Sequence, residues 1–182
     1  MEYNITMKNI NLVLPDRSME SEANAFKNSF FTEGELVING SALFDQLDFY
    51  DWLEVNEANR NEKTVRADWV PTTTFFAIRE SDNKIVGMID IRHNLNNSFL
   101  AEYGGHIGYS VAPEERNKGI AVQMLNMAKE YAKDVLKLDK VMLSCASTNT
   151  ASAKTILKCG GELAEVKPYL DNTLLNVYWI TL

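Results

Sequence analysis

HIGYSVAPEERNKGIAVQMLNMAKEYAK, residues 106–133, is the stretch from which the rest of the chain can be read. HIGYSV (106–111) has the character of a strand and is stopped by Pro113. From Gly119 to Leu138, Ile120, Met124, Met127, Tyr131, Val135 and Leu138 recur at steps of three and four, which predicts an amphipathic helix. Between strand and helix lies RNKGIA (116–121), two cations around one glycine with a small alanine after it. A helix start presents unbonded N–H groups and a partial positive charge. A glycine there lets main chain approach an anion closely. The amides of Lys118, Gly119, Ile120 and Ala121, with Arg116 and Lys118 adding charge beside Asn117, therefore suit a phosphate group. The alternative is that Gly119 only relieves strain at a helix start and the cations are solvated. The segment is no nucleotide P-loop, because GxxxxGK[ST] is missing, and it lacks the GxGxxG of dinucleotide folds.

Working outward, KVMLSCA (140–146) reads as a buried strand, so residues 106–145 form a strand–helix–strand unit whose strands should lie parallel and adjacent. STNTASAKTILKCGG then offers capping residues, a short helix and a double glycine, and LLNVYWITL closes the sequence as a strand. On the N-terminal side, ITMKNINLVL (5–14) reads as one strand ending at Pro15. SMESEANAFKNSFF and SALFDQLDFYDWLEVNEANR read as helices, the second with Leu43, Leu47, Tyr50 and Leu53 at helical spacing. TTTFFAIRE, the turn signal SDNK and IVGMIDIRH make a hairpin. The expected order is one strand, two helices, three strands, a helix, a strand, a short helix and a final strand. That is a single mixed α/β (α+β) domain over residues 1–182.

At 182 residues, 46% hydrophobic and 24% charged, the composition is that of a soluble globular chain. No apolar run reaches the length of a membrane span, and the first residues lack the pattern of a secretory signal. Two cysteines, Cys145 and Cys159, suggest neither a disulfide framework nor a metal knuckle, so the cytoplasm is the expected compartment. The net charge of −7 is unevenly spread. Residues 1–115 carry nine lysines and arginines against nineteen acids, a balance of −10, and residues 116–182 carry nine against six, a balance of +3. The total argues against nonspecific nucleic-acid binding. The split suits an anion on the C-terminal half and a cation on the other, or simply a solvated acidic surface.

Residues 106–133 together with LDKVMLSCASTNTASAKTILKCGG resemble the GCN5-related N-acetyltransferase (GNAT) superfamily in its acetyl-CoA-binding core, about residues 106–161. VPTTTFF, IRHNLN and GGHIGY add a similarity to a bacterial subgroup of acetyltransferases without a settled substrate. The resemblance implies a central, mostly antiparallel mixed sheet with a splayed parallel strand pair, flanked by helices. It implies acetyl-CoA as cosubstrate, no metal, and an amine of a small molecule or peptide as acceptor, with a homodimer left open. HIGYSV matches the family's splayed strand, so backbone around Ser110 and Val111 would pair with the pantetheine arm. RNKGIA matches the Q/R-x-x-G-x-G/A loop. Asn149 and Ser152 match cofactor-contacting positions that could equally cap a helix.

Acetyl transfer needs a deprotonated amine, a polarised carbonyl and a means of accommodating the departing thiolate. The superfamily's usual acid, a tyrosine seven residues after the asparagine, is replaced here by Ile156. Tyr109, Tyr169 and Tyr178 are the substitutes, each also readable as a packing residue. His106 stands where many relatives carry glutamate and titrates in the right range for a base; the alternative is a structural histidine bonded to a neighbouring backbone carbonyl. His93 reads as a strand-end residue. Asp90 and His93, three apart in a strand, fall on opposite faces, which argues against a shared metal. Cys145, with Val141 and Leu143, reads as core. Glu102 and Tyr103, with the loop HNLNNSFLAEYGG, are candidates for the acceptor side. A non-catalytic acyl-CoA-binding or regulatory domain is the competing reading.

Overall fold

The computed structural model describes residues 5–7, 9–169 and 173–182. The segment expected as one strand over residues 5–14 folds instead into two, β1 (Ile5–Met7) and β2 (Ile10–Val13), paired antiparallel. The turn uses Asn9 at φ 78°, a left-handed conformation asparagine tolerates; Lys8 and residues 1–4 lie outside the described residues. Helix α1 (Glu20–Thr32) follows a short 3-10 turn. Helix α2 is Phe49–Asn59, much shorter than the pattern over residues 41–60 suggests. Ala42 and Leu43 sit at φ 49° and 71°, which no helix accommodates. Asp48 then starts the helix by accepting from the N–H groups of Tyr50 and Asp51 at 3.1 and 3.0 Å.

β3 (Thr72–Arg79) and β4 (Ile85–Arg92) form the expected hairpin, and β5 (Ile107–Val111) pairs antiparallel with β4 from Gly87↔Val111 to Ile91↔Ile107. These strands make a five-stranded sheet in the order β1-β2-β3-β4-β5. Helix α3 (Ile120–Asp134) ends earlier than Leu138, and Lys137 at φ 58° turns the chain toward β6 (Lys140–Ala146). After α4 (Thr150–Lys158) come β7 (Glu162–Pro168) and β8 (Leu174–Thr181), which join β6 in a second antiparallel sheet ordered β6-β8-β7. β7 has no counterpart in the sequence reading: almost all of it is exposed, so it shows no apolar alternation.

The layers follow from the alternation along β3 and β4. Phe75, Ala77, Ile89 and Ile91 face α3, whose Met124, Leu125, Met127 and Ala128 are fully buried against them. Phe76 and Met88 face the other way, into Phe26 and Phe30 of α1 and Trp52 of α2. Trp52 stacks on Phe76 with centroids 5.4 Å apart, and its indole N–H reaches the Ser41 carbonyl at 2.7 Å, so the buried polar edge is satisfied. Truncating Met124 would remove packing worth about 2–5 kcal/mol. β5 and β6, expected as adjacent parallel strands, belong instead to different sheets with no ladder pair between them.

Candidate active site

Three features converge where β5 ends and α3 begins. Pro113–Glu115 form a 3-10 turn, Asn117 takes φ 62°, and Gly119 takes φ 80° immediately before α3. No side chain caps α3, so the first N–H groups of the helix face outward. A Cβ on Gly119 would find nothing within 4 Å, so the ground before those amides is open. The loop's cations are already engaged. Arg116 forks onto Glu35 at 2.6 and 2.7 Å, and Lys118 reaches the buried Glu115 at 2.9 Å. Glu115 also accepts from Arg79 at 2.8 Å and ties the loop to β3. The hydrogen bond from Arg116 holds Glu35 below its ordinary carboxylate value, and the same bond raises Arg116.

The second feature is the parting of β5 from β6. The His106 carbonyl accepts from the Arg92 N–H at 2.8 Å and the Val86 carbonyl accepts from the Ala112 N–H at 3.0 Å. Even-numbered residues of β5 therefore pair with β4, and the main-chain groups of Ile107, Tyr109 and Val111 face outward. Ser110, expected as part of that free edge, lies opposite Met88 in the ladder, and its hydroxyl donates to the Asn39 carbonyl at 2.8 Å. No ladder pair joins β5 to β6. Their main-chain link is at the start of β5, where the His106 N–H reaches the Met142 carbonyl at 2.7 Å.

The third feature is α4, set against the outward side of β5. Asn149 accepts from the Ser152 N–H at 3.0 Å and so caps the helix. The Ser152 hydroxyl lies 3.0 Å from that of Tyr109, so one hydrogen bond ties β5 to the first turn of α4. Burial pushes the Tyr109 phenol up, opposed by its bonds to Ser152 and Thr155.

The Acetyltransferase (GNAT) family profile matches residues 43–160, well over half of the sequence. The chain belongs to the GNAT acetyltransferase family. Its fold is that of a provisionally named ribosomal-protein-serine acetyltransferase from Vibrio cholerae, at TM-score 0.71 and 16% identity over 99% of this chain and 98% of that one. A GNAT-family acetyltransferase from Bacillus anthracis gives 0.66 and 18% over 98% of both chains. The microcin C7 self-immunity acetyltransferase MccE, solved with acetyl-CoA and AMP, gives 0.67 and 20% over 97% of this chain and 94% of that one. No curated protein matches the sequence significantly.

In this GNAT chain the remaining candidate residues separate by environment. His106 is buried, and its Nδ1 accepts from the Met142 N–H at 2.9 Å. Burial, with Arg92 nearby, lowers its pKa to about 4. The lone pair a general base would use is thus already bonded, and the backbone partner is an N–H donor, not the carbonyl expected of a structural histidine. Tyr178 is buried in the core and its hydroxyl accepts from the Asn176 amide at 3.1 Å. Ile156 is fully buried. His93 binds Thr73 through Nε2 at 2.8 Å, whereas Asp90 accepts from Thr74 at 2.8 Å, so the two lie on opposite faces of the sheet. Cys145 is buried and its thiol pushed up by burial.

Glu102 and Tyr103, expected on the acceptor side, belong to a π-helical turn, Leu100–Gly104. Tyr103 packs against Phe99 and Tyr169, and the Lys167 ammonium lies 5.1 Å over its ring. A cleft of about 410 Å³ opens beside the start of β3, lined by Glu62, Arg66, Asp68, Trp69, Asn94 and Asn97 among others. Among the described residues no group of three or more His, Cys, Asp or Glu is arranged to hold a metal, and no helix is long and apolar enough to cross a membrane. Glu35, Arg92 and Met142 complete the site and were missed in the sequence. Each acts on a residue far along the chain, and nothing in its local pattern marks it.

Proposed function

We propose that this protein is an acetyl-CoA-dependent N-acetyltransferase acting on a primary amine of a small molecule or peptide, with the amine attacking directly in a ternary complex. One observation carries the reading: the outward main chain of Tyr109 and Val111, where the Val111 carbonyl takes the Arg116 Nε–H at 3.3 Å, is followed by the uncapped start of α3 at Gly119. An extended amide-bearing arm can pair with such an edge as an added strand. A diphosphate at its far end meets the N–H groups of Gly119, Ile120 and Ala121, where main chain and helix dipole both favour an anion. Acetyl-CoA supplies the activated acyl group when bound, and its two parts match these two features of the chain.

Tyr109 is the residue assigned to the departing thiolate. Its hydroxyl spans from β5 to α4, the helix on which relatives place their tyrosine, and burial keeps it protonated. Neither His106 nor Asp90 offers a free base: His106 Nδ1 is taken by the Met142 N–H, and Asp90 is bonded to Thr74 and lies 3.2 Å from Arg92. The amine therefore arrives deprotonated from solvent, and Glu62 and Asp68 of the adjoining cleft suit a second ammonium on the acceptor. The narrower likeness to the GGHIGY subgroup names no acceptor.

A non-catalytic acyl-CoA-binding domain draws support from the bonded state of His106 Nδ1 and from Ile156. Release of free CoA from acetyl-CoA over a panel of amines, polyamines, amino acids and peptides separates the two. Saturable, amine-dependent release is expected. Tight acetyl-CoA binding with no release over the panel would leave only the binding domain.

A further inference from the structure

Resting on the acyl-CoA reading above, we propose that His106 is a positioning residue that fixes where β5 and β6 part, its imidazole standing in for the backbone carbonyl that a continued parallel ladder would offer Met142. The register identifies the missing partner. In a parallel pair, the residue whose carbonyl accepts from one strand gives its own N–H to the carbonyl two residues earlier on that strand. The Met142 carbonyl accepts from His106, so its N–H should go to Gly104. It goes instead to His106 Nδ1 at 2.9 Å. The carbonyls of Gly104 and Gly105 accept from the Arg92 guanidinium at 3.4 and 3.2 Å. Arg92 is backed by the buried Asp90 at 3.2 Å.

Backbone geometry makes the exchange possible. Gly105 has φ 67°, and a Cβ there would stand 2.5 Å from the Met142 carbonyl oxygen, so only glycine allows this approach. His106 then turns its carbonyl to Arg92 in one sheet and its N–H to Met142 in the other. A ring that accepts at Nδ1 carries its proton at Nε2. The ring is buried, its centroid 6.2 Å from that of Trp179, which holds it edge to face. Both main-chain groups of Met142 are thereby satisfied at the junction, and the strands separate beyond it, with the Arg116 Nε–H on the Val111 carbonyl at the far end of the β5 edge. The imidazole sets the depth of the opening in which an acyl-bearing arm would end.

The test uses the difference between the two nitrogens. Asparagine can present Oδ1 where Nδ1 stands, whereas the glutamine Oε1 mimics Nε2. In the wild-type protein labelled with 15N, a scalar coupling across the Met142 N–H···Nδ1 bond is expected, and its absence would overturn the proposal. Calorimetric titration with acetyl-CoA should show His106→Asn binding within about threefold of wild type. His106→Gln and His106→Ala should bind about tenfold more weakly or worse, since a buried N–H is left without an acceptor. Equal binding by His106→Asn and His106→Gln would also overturn it. Failure of the wild type to bind acetyl-CoA would refute the acyl-CoA reading and leave the coupling to decide the histidine's role.

Discussion

His106 shows how a buried environment changes what a side chain can do. Its pKa falls from the usual 6.5 to about 4, through burial first and Arg92 second. As pH drops below 6.5 the unfolded chain takes up a proton that the folded one refuses until about 4. Stability from this group is therefore complete above the unfolded value and lost as pH falls through the window, by at most about 3 kcal/mol. Against His106→Asn, whose side chain does not titrate, the wild-type stability measured by denaturant should decline across that interval, and a constant difference would contradict it. Tyr109→Phe should lower kcat about a hundredfold with KM for acetyl-CoA little changed. An unchanged kcat would remove Tyr109 from the chemistry. The sequence marked both residues as candidates, yet it could not assign them, because Met142 and Ser152 reach them from 36 and 43 positions away.

At the level of elements, the strands and helices with a buried face were legible and the others were not. β3, β4, β6 and α3 carry their apolar periodicity openly, and each lies where the pattern puts it, α3 stopping a few residues short. β7 is held by pairing with β8 and not by burial, so no periodicity reveals it. The helical spacing over residues 41–47 misled because Phe44 packs from a turn, fully buried between Phe49, Trp52 and Phe76. The RNKGIA loop was legible as main chain, but its partners were not. Glu35, on the segment after α1, holds Arg116 with both side chains about two-fifths exposed. A pair that exposed contributes about 1 kcal/mol or less. Glu35→Gln should accordingly change the melting temperature little and tighten acetyl-CoA binding, since it frees a guanidinium for phosphate. Weaker binding would mean instead that the pair shapes the loop for its ligand.

Across the molecule, two antiparallel sheets diverge from one polar junction, and the cationic C-terminal part supplies the loop, α3 and α4 that face the opening. The acidic N-terminal part covers the other face of the larger sheet through α1 and α2, and Glu62, Asp68 and Asn94 border a cleft by the start of β3. The strand–helix–strand order made the placing of the loop and α3 between β5 and β6 readable from the residues. The junction itself was not readable, because it is a contact between segments that only the fold brings together. Thermal unfolding with and without acetyl-CoA tests the account most directly. At a hundredfold excess over Kd a single site adds about 2.7 kcal/mol, a rise of roughly 5–10 °C for a chain of this size. Such a rise, absent with acetate alone, is the expected result; no shift at millimolar acetyl-CoA would contradict the claim that the parted strands and the Gly119 turn form a cofactor site.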